Sequence, residues 1–517
     1  MAPRTGVAAV VLTLAGALGG CTLGSSGAPA EPSSTSRPAL SPVATSSAPP
    51  PTAGLRRYYG QRLDWTDCSD GQQCATLQVP LDYARPADRS IDLALLKVSA
   101  TSEAQRRGSL VINPGGPGRS GKDYAAVAEQ ALGPELGRAY DVVGFDPRGV
   151  GESTPVECGS DEQQNALVDS DPSPDTAAER RTTDRLIRGL GESCLRDSGA
   201  LARHVSTVEV AKDMDVLRAA LGEPRLTYFG ASYGTFIGAT YAELFPDKID
   251  RMVLDGAIDP AASTVEVNLV QARGFETALR AYIGACIEAG DCYLGDSVDE
   301  GVRRVQELLR DVETEPLSTS SGRELTAGNA VYGIWVPLYS KLSWPVLDAG
   351  LQGAFEGDGS VLMNLADQYL QRTAEGKYST NSAEVFNAIN CLDRDDGVPS
   401  SEVERYEPRF EKASPTFGSI FAYSISTCAS WPVHSGRQPQ PVRAEGSPPI
   451  MVVGTTRDPA TPLVWSRALA DQLPQGVLVT RDGDGHLGFR AGSACTDLAV
   501  ERYLIDGVVP TKDVICS

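Results

Sequence analysis

Apolar positions along the chain fall into two rhythms. Eight short runs, rich in β-branched and aromatic residues and each closed by turn formers, predict strands over 74–83, 91–100, 109–116, 140–149, 225–232, 251–259, 448–458 and 476–486. The first two alternate apolar with polar positions, as half-exposed strands near a sheet edge do. The later runs are continuously apolar, the pattern of parallel strands covered on both faces. Stretches of helical period lie between them, such as VEVAKDMDVLRAALG at 208–222. Strands alternating with helices predict a mostly parallel eight-stranded sheet flanked by helices. Residues 261–445 break the alternation: VNLVQARGFETALRAYIGAC, GVRRVQELLRDV, GNAVYGIWVPLYSKLSWPVLDAGLQGAF and SVLMNLADQYLQR all read as helices. The expectation is an α/β core in two parts, 55–260 and 446–517, with a helical cap inserted between strands six and seven.

The N-terminal region follows neither rhythm. Residues 1–20 have a short basic start at Arg4 and an apolar stretch, Val7–Leu18, too short to span a bilayer, which is the form of a secretory signal. It ends in Leu18-Gly19-Gly20-Cys21, similar to the bacterial lipobox, and the expectation is a lipid on Cys21 that holds the chain at the outer face of a membrane. Residues 21–54 are almost wholly Ser, Thr, Ala, Pro and Gly after that cysteine, with too little apolar bulk to offset the entropy of ordering, and predict a flexible tether.

Composition narrows the function classes. At 517 residues with 41% hydrophobic and 22% charged residues, the chain suits a large globular core with an insertion. A formal net charge of −21 and the lack of any basic patch argue against nucleic acid as a partner. Eleven cysteines are odd in number, and with Cys21 lipidated ten remain for five bridges in an oxidising compartment. Pairing sequence neighbours closes only short loops and gives Cys68–Cys74, Cys158–Cys194, Cys286–Cys292, Cys391–Cys428 and Cys495–Cys516, one choice among hundreds. No CxxC or Cys/His cluster suggests a metal, and no cofactor is expected.

The chemistry centres on Gly230-Ala231-Ser232-Tyr233-Gly234, a GxSxG between a predicted strand and a predicted helix. So sharp a turn excludes side chains at its flanks and lifts the hydroxyl above the sheet, although the motif alone is often only a tight turn. A serine hydroxyl needs a base, and there are three histidines. His204 precedes the serine, His434 lies in a proline-rich part of the insertion, and His486 follows the last strand in DGDGHLGF. The order serine, acid, histidine selects His486 over His434. For the acid, Asp458 ends the seventh predicted strand, Asp255 ends the sixth as the alternative, and Asp482 and Asp484 read as turn residues. Oxyanion donors are expected from the amide of Tyr233 and from the glycine loop NPGGPGRSG at 113–121, at Gly116 or alternatively Gly115.

With these residues stand CATLQVPLDYARP, LVINPGGPGRSG, YDVVGFDPRGVGES, AINCLDRDD, CASWP, TTRDPATP and GHLGF. Together they resemble the tripeptidyl aminopeptidase group of α/β-hydrolases, relatives of the proline aminopeptidases, over essentially the whole ordered chain. Where proline aminopeptidases open the oxyanion loop with histidine, this chain has Pro114. The resemblance implies an α/β-hydrolase fold, a triad of Ser232, Asp458 and His486, and oxyanion donors at Gly116 and Tyr233. It also implies release of short peptides from substrates with a free N-terminus, with Asp393 as candidate contact for the substrate ammonium. Carboxylesterase or lipase action is the alternative, because the same triad serves esters.

Overall fold

The computed structural model describes residues 53–517 apart from 70 and 512. The predicted signal segment, Cys21 and nearly all of the predicted tether lie outside the described residues. Order starts at a short 3-10 turn, Ala53–Leu55, and Tyr58 just beyond it is already buried.

A large sheet runs through the molecule in the order β1-β2-β3-β5-β4-β6-β7-β10-β11-β12. Its strands are β1 Thr66–Ser69, β2 Gln72–Pro80, β3 Ser90–Val98, β4 Gly108–Asn113, β5 Tyr140–Phe145, β6 Leu226–Ala231, β7 Ile249–Asp255, β10 Ile450–Arg457, β11 Gly476–Asp484 and β12 Val514–Cys516. The intervening β8 Leu317–Ser318 and β9 Glu324–Leu325 form a separate small hairpin in the insertion. Pairings from β5 through β12 are parallel, whereas β1, β2, β3 and β5 pair antiparallel. Every residue of β4 and β6 is buried, the outcome of the continuous apolar runs.

The expected eight strands are all present, but the sheet has ten. The two extra strands, β1 and β12, are outermost strands of four and three residues, too short to carry a periodic strand signal; β1 is exposed along its whole length. Each is tied by a disulfide: Cys68–Cys74 joins β1 to β2, and Cys495–Cys516 joins β12 to the helix Ala494–Asp506. The other bridges are Cys158–Cys194, Cys286–Cys292 and Cys391–Cys428.

Between β7 and β10 the chain is mainly helical. The helices Thr264–Ala289, Val298–Thr314, Trp344–Phe355 and Ser360–Leu370 bury Leu279, Val305, Leu351 and Leu362 in an apolar core of their own. The long run 328–355 is not one helix. It breaks at 3-10 turns over Val336–Tyr339 and Lys341–Ser343, where Pro337 sits at the start of the first turn. The insertion also returns to the sheet: Val385, Ala388 and Leu392 of the helix Ser382–Asp393 join the same core as Val143, Tyr228 and Ile237. Its packing therefore divides within 261–445, one part forming an apolar core of its own and the other joining the core under the sheet.

Candidate active site

Ser232 stands between the end of β6 at Ala231 and the helix Tyr233–Leu244 with φ of 55°, positive in a way uncommon for a residue with a side chain. The turn survives because its neighbours are small. A Cβ at Gly234 would lie 2.6 Å from the carbonyl oxygen of Asn113, and one at Gly230 would collide with the carbonyl of Gly234. Hydrogen bonds fix the corner: Ser232 N donates to the Asp255 carbonyl at 2.8 Å, and the Thr235 amide and hydroxyl donate to the Ser232 carbonyl at 2.8 and 2.6 Å.

The acid and the imidazole meet across the tips of β10 and β11. His486 Nδ1 lies 2.9 and 3.0 Å from the two carboxylate oxygens of Asp458. Asp458 is buried and accepts further bonds from the amides of Ala460, Thr461 and Leu487 at 2.9, 2.8 and 3.1 Å, so its orientation is set from several sides. Thr461 Oγ1 adds a bond of 3.0 Å to Asp458 and lies 3.2 Å from His486 Nδ1. With Nδ1 held by the carboxylate, Nε2 is the ring nitrogen left for substrate chemistry. Burial works against charging this imidazole, but the Asp458 carboxylate outweighs it and the pKa stands above the ordinary histidine value.

The serine approaches the imidazole through one residue of backbone. Ser232 N is bound to Asp255, and a Cβ on the next residue, Gly256, would come 3.3 Å from His486 Cε1. The Ser232 hydroxyl itself makes no hydrogen bond to His486 among the described residues; in hydrolases this bond commonly tightens only with substrate present. From the cap, the Tyr339 carbonyl accepts the His486 amide at 2.8 Å, and the Tyr339 ring meets the imidazole edge-on with centroids 5.2 Å apart. Sequence reasoning did not single out Tyr339 or Thr461; the breaking Pro337 and the three-residue step from Asp458 were the available signals.

The glycine loop lies against the start of the nucleophile helix. Gly115 and Gly116 have φ of 90° and 113°, and a Cβ at 115 would stand 2.6 Å from the Tyr233 amide nitrogen. Asn113 Oδ1 accepts the Gly115 amide at 2.9 Å. That engages the Gly115 amide, whereas Gly116 next to it is exposed.

The remaining candidates sit elsewhere or do other work. Asp255 accepts the amides of Gly488 and Phe489 at 2.8 and 2.9 Å, bracing the loop after His486 rather than bonding its ring. Burial pushes its pKa up to about 7. Asp482 and Asp484 pair with Arg457, His434 pairs with Asp395 on the exposed surface, and His204 pairs with Glu209. Asp393 departs from the expected ammonium contact. It is buried and accepts from the Thr207 amide at 2.8 Å, the Thr207 hydroxyl at 2.5 Å and the Tyr233 hydroxyl at 2.5 Å. Its oxygens are therefore occupied, and burial raises its pKa. What it does is hold the side chain of the residue whose amide flanks the glycine loop.

Comparison with known proteins agrees with this architecture. A family model described as alpha/beta hydrolase fold matches residues 108–344, and one described as TAP-like protein matches 414–516. Serine protease Hip1 of Mycobacterium tuberculosis is 37% identical, over 88% of this chain and 91% of its own. Carboxylesterase B of the same species is 36% identical over 86% of each chain. Tripeptidyl aminopeptidase of Streptomyces coelicolor is 32% identical over 88% of this chain and 86% of its own. The chain belongs to the tripeptidyl aminopeptidase-like family of α/β-hydrolases and is a serine hydrolase.

Proposed function

We propose that the protein is an exported serine peptidase that removes short peptides from substrates with a free N-terminus. The observation that carries the mechanism is the pairing of His486 Nδ1 with buried Asp458, which leaves Nε2 as the base for Ser232. Ser232 Oγ attacks the scissile carbonyl as its proton passes to His486 Nε2, and the oxyanion is held by the amides of Gly116 and Tyr233. His486 then protonates the leaving amine, which departs and leaves an acyl-enzyme. Water attacks that ester with His486 again as base, the peptide leaves with a carboxylate, and the proton returns to Ser232. Asp458 stays ionised and stabilises the imidazolium throughout.

The helical cap roofed over His486 by Tyr339 supports exopeptidase action, since a roof limits how much chain extends beyond the scissile bond. Ester hydrolysis is the second reading, favoured by the relative named carboxylesterase B. Matched tripeptidyl-amide and acyl-ester substrates, each with a free or acetylated amine, separate the two. An aminopeptidase cleaves the free-amine amide and loses activity on the acetylated one; equal turnover of both would sink this reading in favour of the esterase. Lipidation at Cys21 is the proposed anchor, supported by the sequence around it. A Cys21→Ser chain should leave the membrane fraction and lose incorporation of labelled fatty acid; unchanged partition would refute the anchor.

A further inference from the structure

A cavity of about 180 Å³ runs down the flank of the helix Tyr233–Leu244, lined by Phe236, Thr240, Glu243 and Leu244 from that helix and by the 437–442 loop. Ser232, Gly116 and His486 are not part of its wall. Two guanidinium groups enter it, and both are poorly matched. Arg394 reaches only the carbonyls of Ala262 and Asp259, each at 3.4 Å, while lying 5.2 Å over the Phe236 ring. Burial holds its pKa below the usual arginine value. Arg437 Nη1 is buried without a hydrogen-bond partner among the described residues, and its nearest carboxylate is Asp393 at 4.0 Å.

The acids nearby are already committed. Glu243 accepts the amides of Arg443 and Ala444 on one oxygen at 2.6 and 2.9 Å, Asp393 is taken by Thr207 and Tyr233, Asp396 by Thr264, and Asp259 by Ala261 and Gln472. Buried N–H groups without acceptors are costly, and a guanidinium fork matches a carboxylate or a phosphate, between which the remaining lining must choose. Phe236, Leu244, Pro260 and Val442 give the cavity an apolar side, with Thr240, Gln438 and Gln440 as its uncharged polar lining. We propose that this cavity is a second binding site, separate from the serine centre, for a small carboxylate with an apolar body held by Arg394 and Arg437 over Phe236. Two sources share that chemistry, the C-terminal residue of a peptide and a short fatty acid.

The test is calorimetry and thermal melting of the full chain at matched ionic strength with N-acetylleucine, hexanoate, N-acetylleucinamide and inorganic phosphate. One or both carboxylates should bind and raise the melting temperature; preference for N-acetylleucine indicates the peptide source, preference for hexanoate the fatty acid. The amide and phosphate should do neither. Arg437→Gln, in a partly exposed loop, should keep the native melt and weaken carboxylate binding by about tenfold or more. Leu244→Trp, at a half-exposed wall position, should block it by filling the space. Binding of the uncharged amide equal to the acid, binding of phosphate alone, absence of any binding, or full carboxylate binding in natively folded Arg437→Gln would each overturn the proposal.

Discussion

Asp255 and Asp458 stand at the tips of neighbouring parallel strands, β7 and the end of β10, and both are buried, yet they face different partners. Asp458 presents both oxygens to His486 Nδ1 while backbone amides steady it from behind. Asp255 spends one oxygen on Gly488 and the other on Phe489, and makes no hydrogen bond to the ring. In the proposed mechanism the first works through an imidazolium; the second braces the loop that carries the imidazole. Burial and strand-tip position are thus common to both, and the direction of the carboxylate decides which of them can serve as the acid.

The bluntest way to break this division is to remove the group both acids serve. Ser232→Ala should lower kcat by about five to six orders of magnitude with an unchanged melting curve, and His486→Ala should nearly match it. His434→Ala, whose ring pairs with Asp395 on the surface, should leave turnover within about twofold. Steady-state kinetics beside thermal melts checks all three, and turnover retained by Ser232→Ala would end the mechanism.

The comparison itself is sharpened by matched amides. Asp458→Asn cannot stabilise the imidazolium and favours the wrong tautomer, so kcat should fall by about 10⁴. Asp255→Asn sets an amide NH₂ against a backbone N–H, and the expected cost is about 1–3 kcal/mol of stability with a much smaller loss of kcat. A reversal of those two signatures would exchange the roles of the acids. Asp255 also marks stability against pH. Its folded pKa is raised from 3.8 to about 7, so the folded state holds the proton more tightly than the unfolded chain. Its contribution is fully present below the unfolded value and is lost as pH rises through the folded one. Asp255→Asn should flatten that fall between pH 4 and 7 in denaturant titrations, whereas an unaltered slope would deny it the raised pKa.

A smaller effect separates the acids by pH alone. His486 must be neutral to accept the serine proton, and its pKa is raised by Asp458 despite burial. The acid limb of kcat/KM should therefore lie above 6.5, with activity lost as pH falls through it. In Asp458→Asn the residual activity should show that limb moved down, because the attraction is gone while the burial remains. A limb that stays in place would mean that another group sets it.

These contrasts also mark what the sequence could and could not disclose. Ser232 was legible because a buried strand, two glycines and a helix are all local to it. Chain order pointed to Asp458, but nothing local distinguished its direction from that of Asp255, since the amides of Gly488 and Phe489 arrive from more than two hundred residues away. The partners of Asp393 were hidden for the same reason: its helix folds back onto the core, which turns the carboxylate toward Tyr233. Outer strands β1 and β12 escaped notice because runs of four and three residues are too short to show a period, and a disulfide fixes each at the sheet margin.

The smallest effect tests whether the cap steers the imidazole as well as covering it. Tyr339 belongs to a 3-10 turn made where Pro337 stops the preceding helix, and it touches His486 twice, by its carbonyl and by its ring. Tyr339→Leu leaves the carbonyl bond to the His486 amide and removes the edge-on aromatic contact, a term of about 0.5–1.5 kcal/mol. If the ring holds the imidazole at its working angle, kcat should fall by about two- to tenfold, with KM for a small ester substrate nearly unchanged. A rise in KM alone would instead make Tyr339 a wall of the substrate cleft, and the orientation of the His486 ring would then rest on Asp458, the Asp255-braced loop and the backbone bond from residue 339 without help from the aromatic ring.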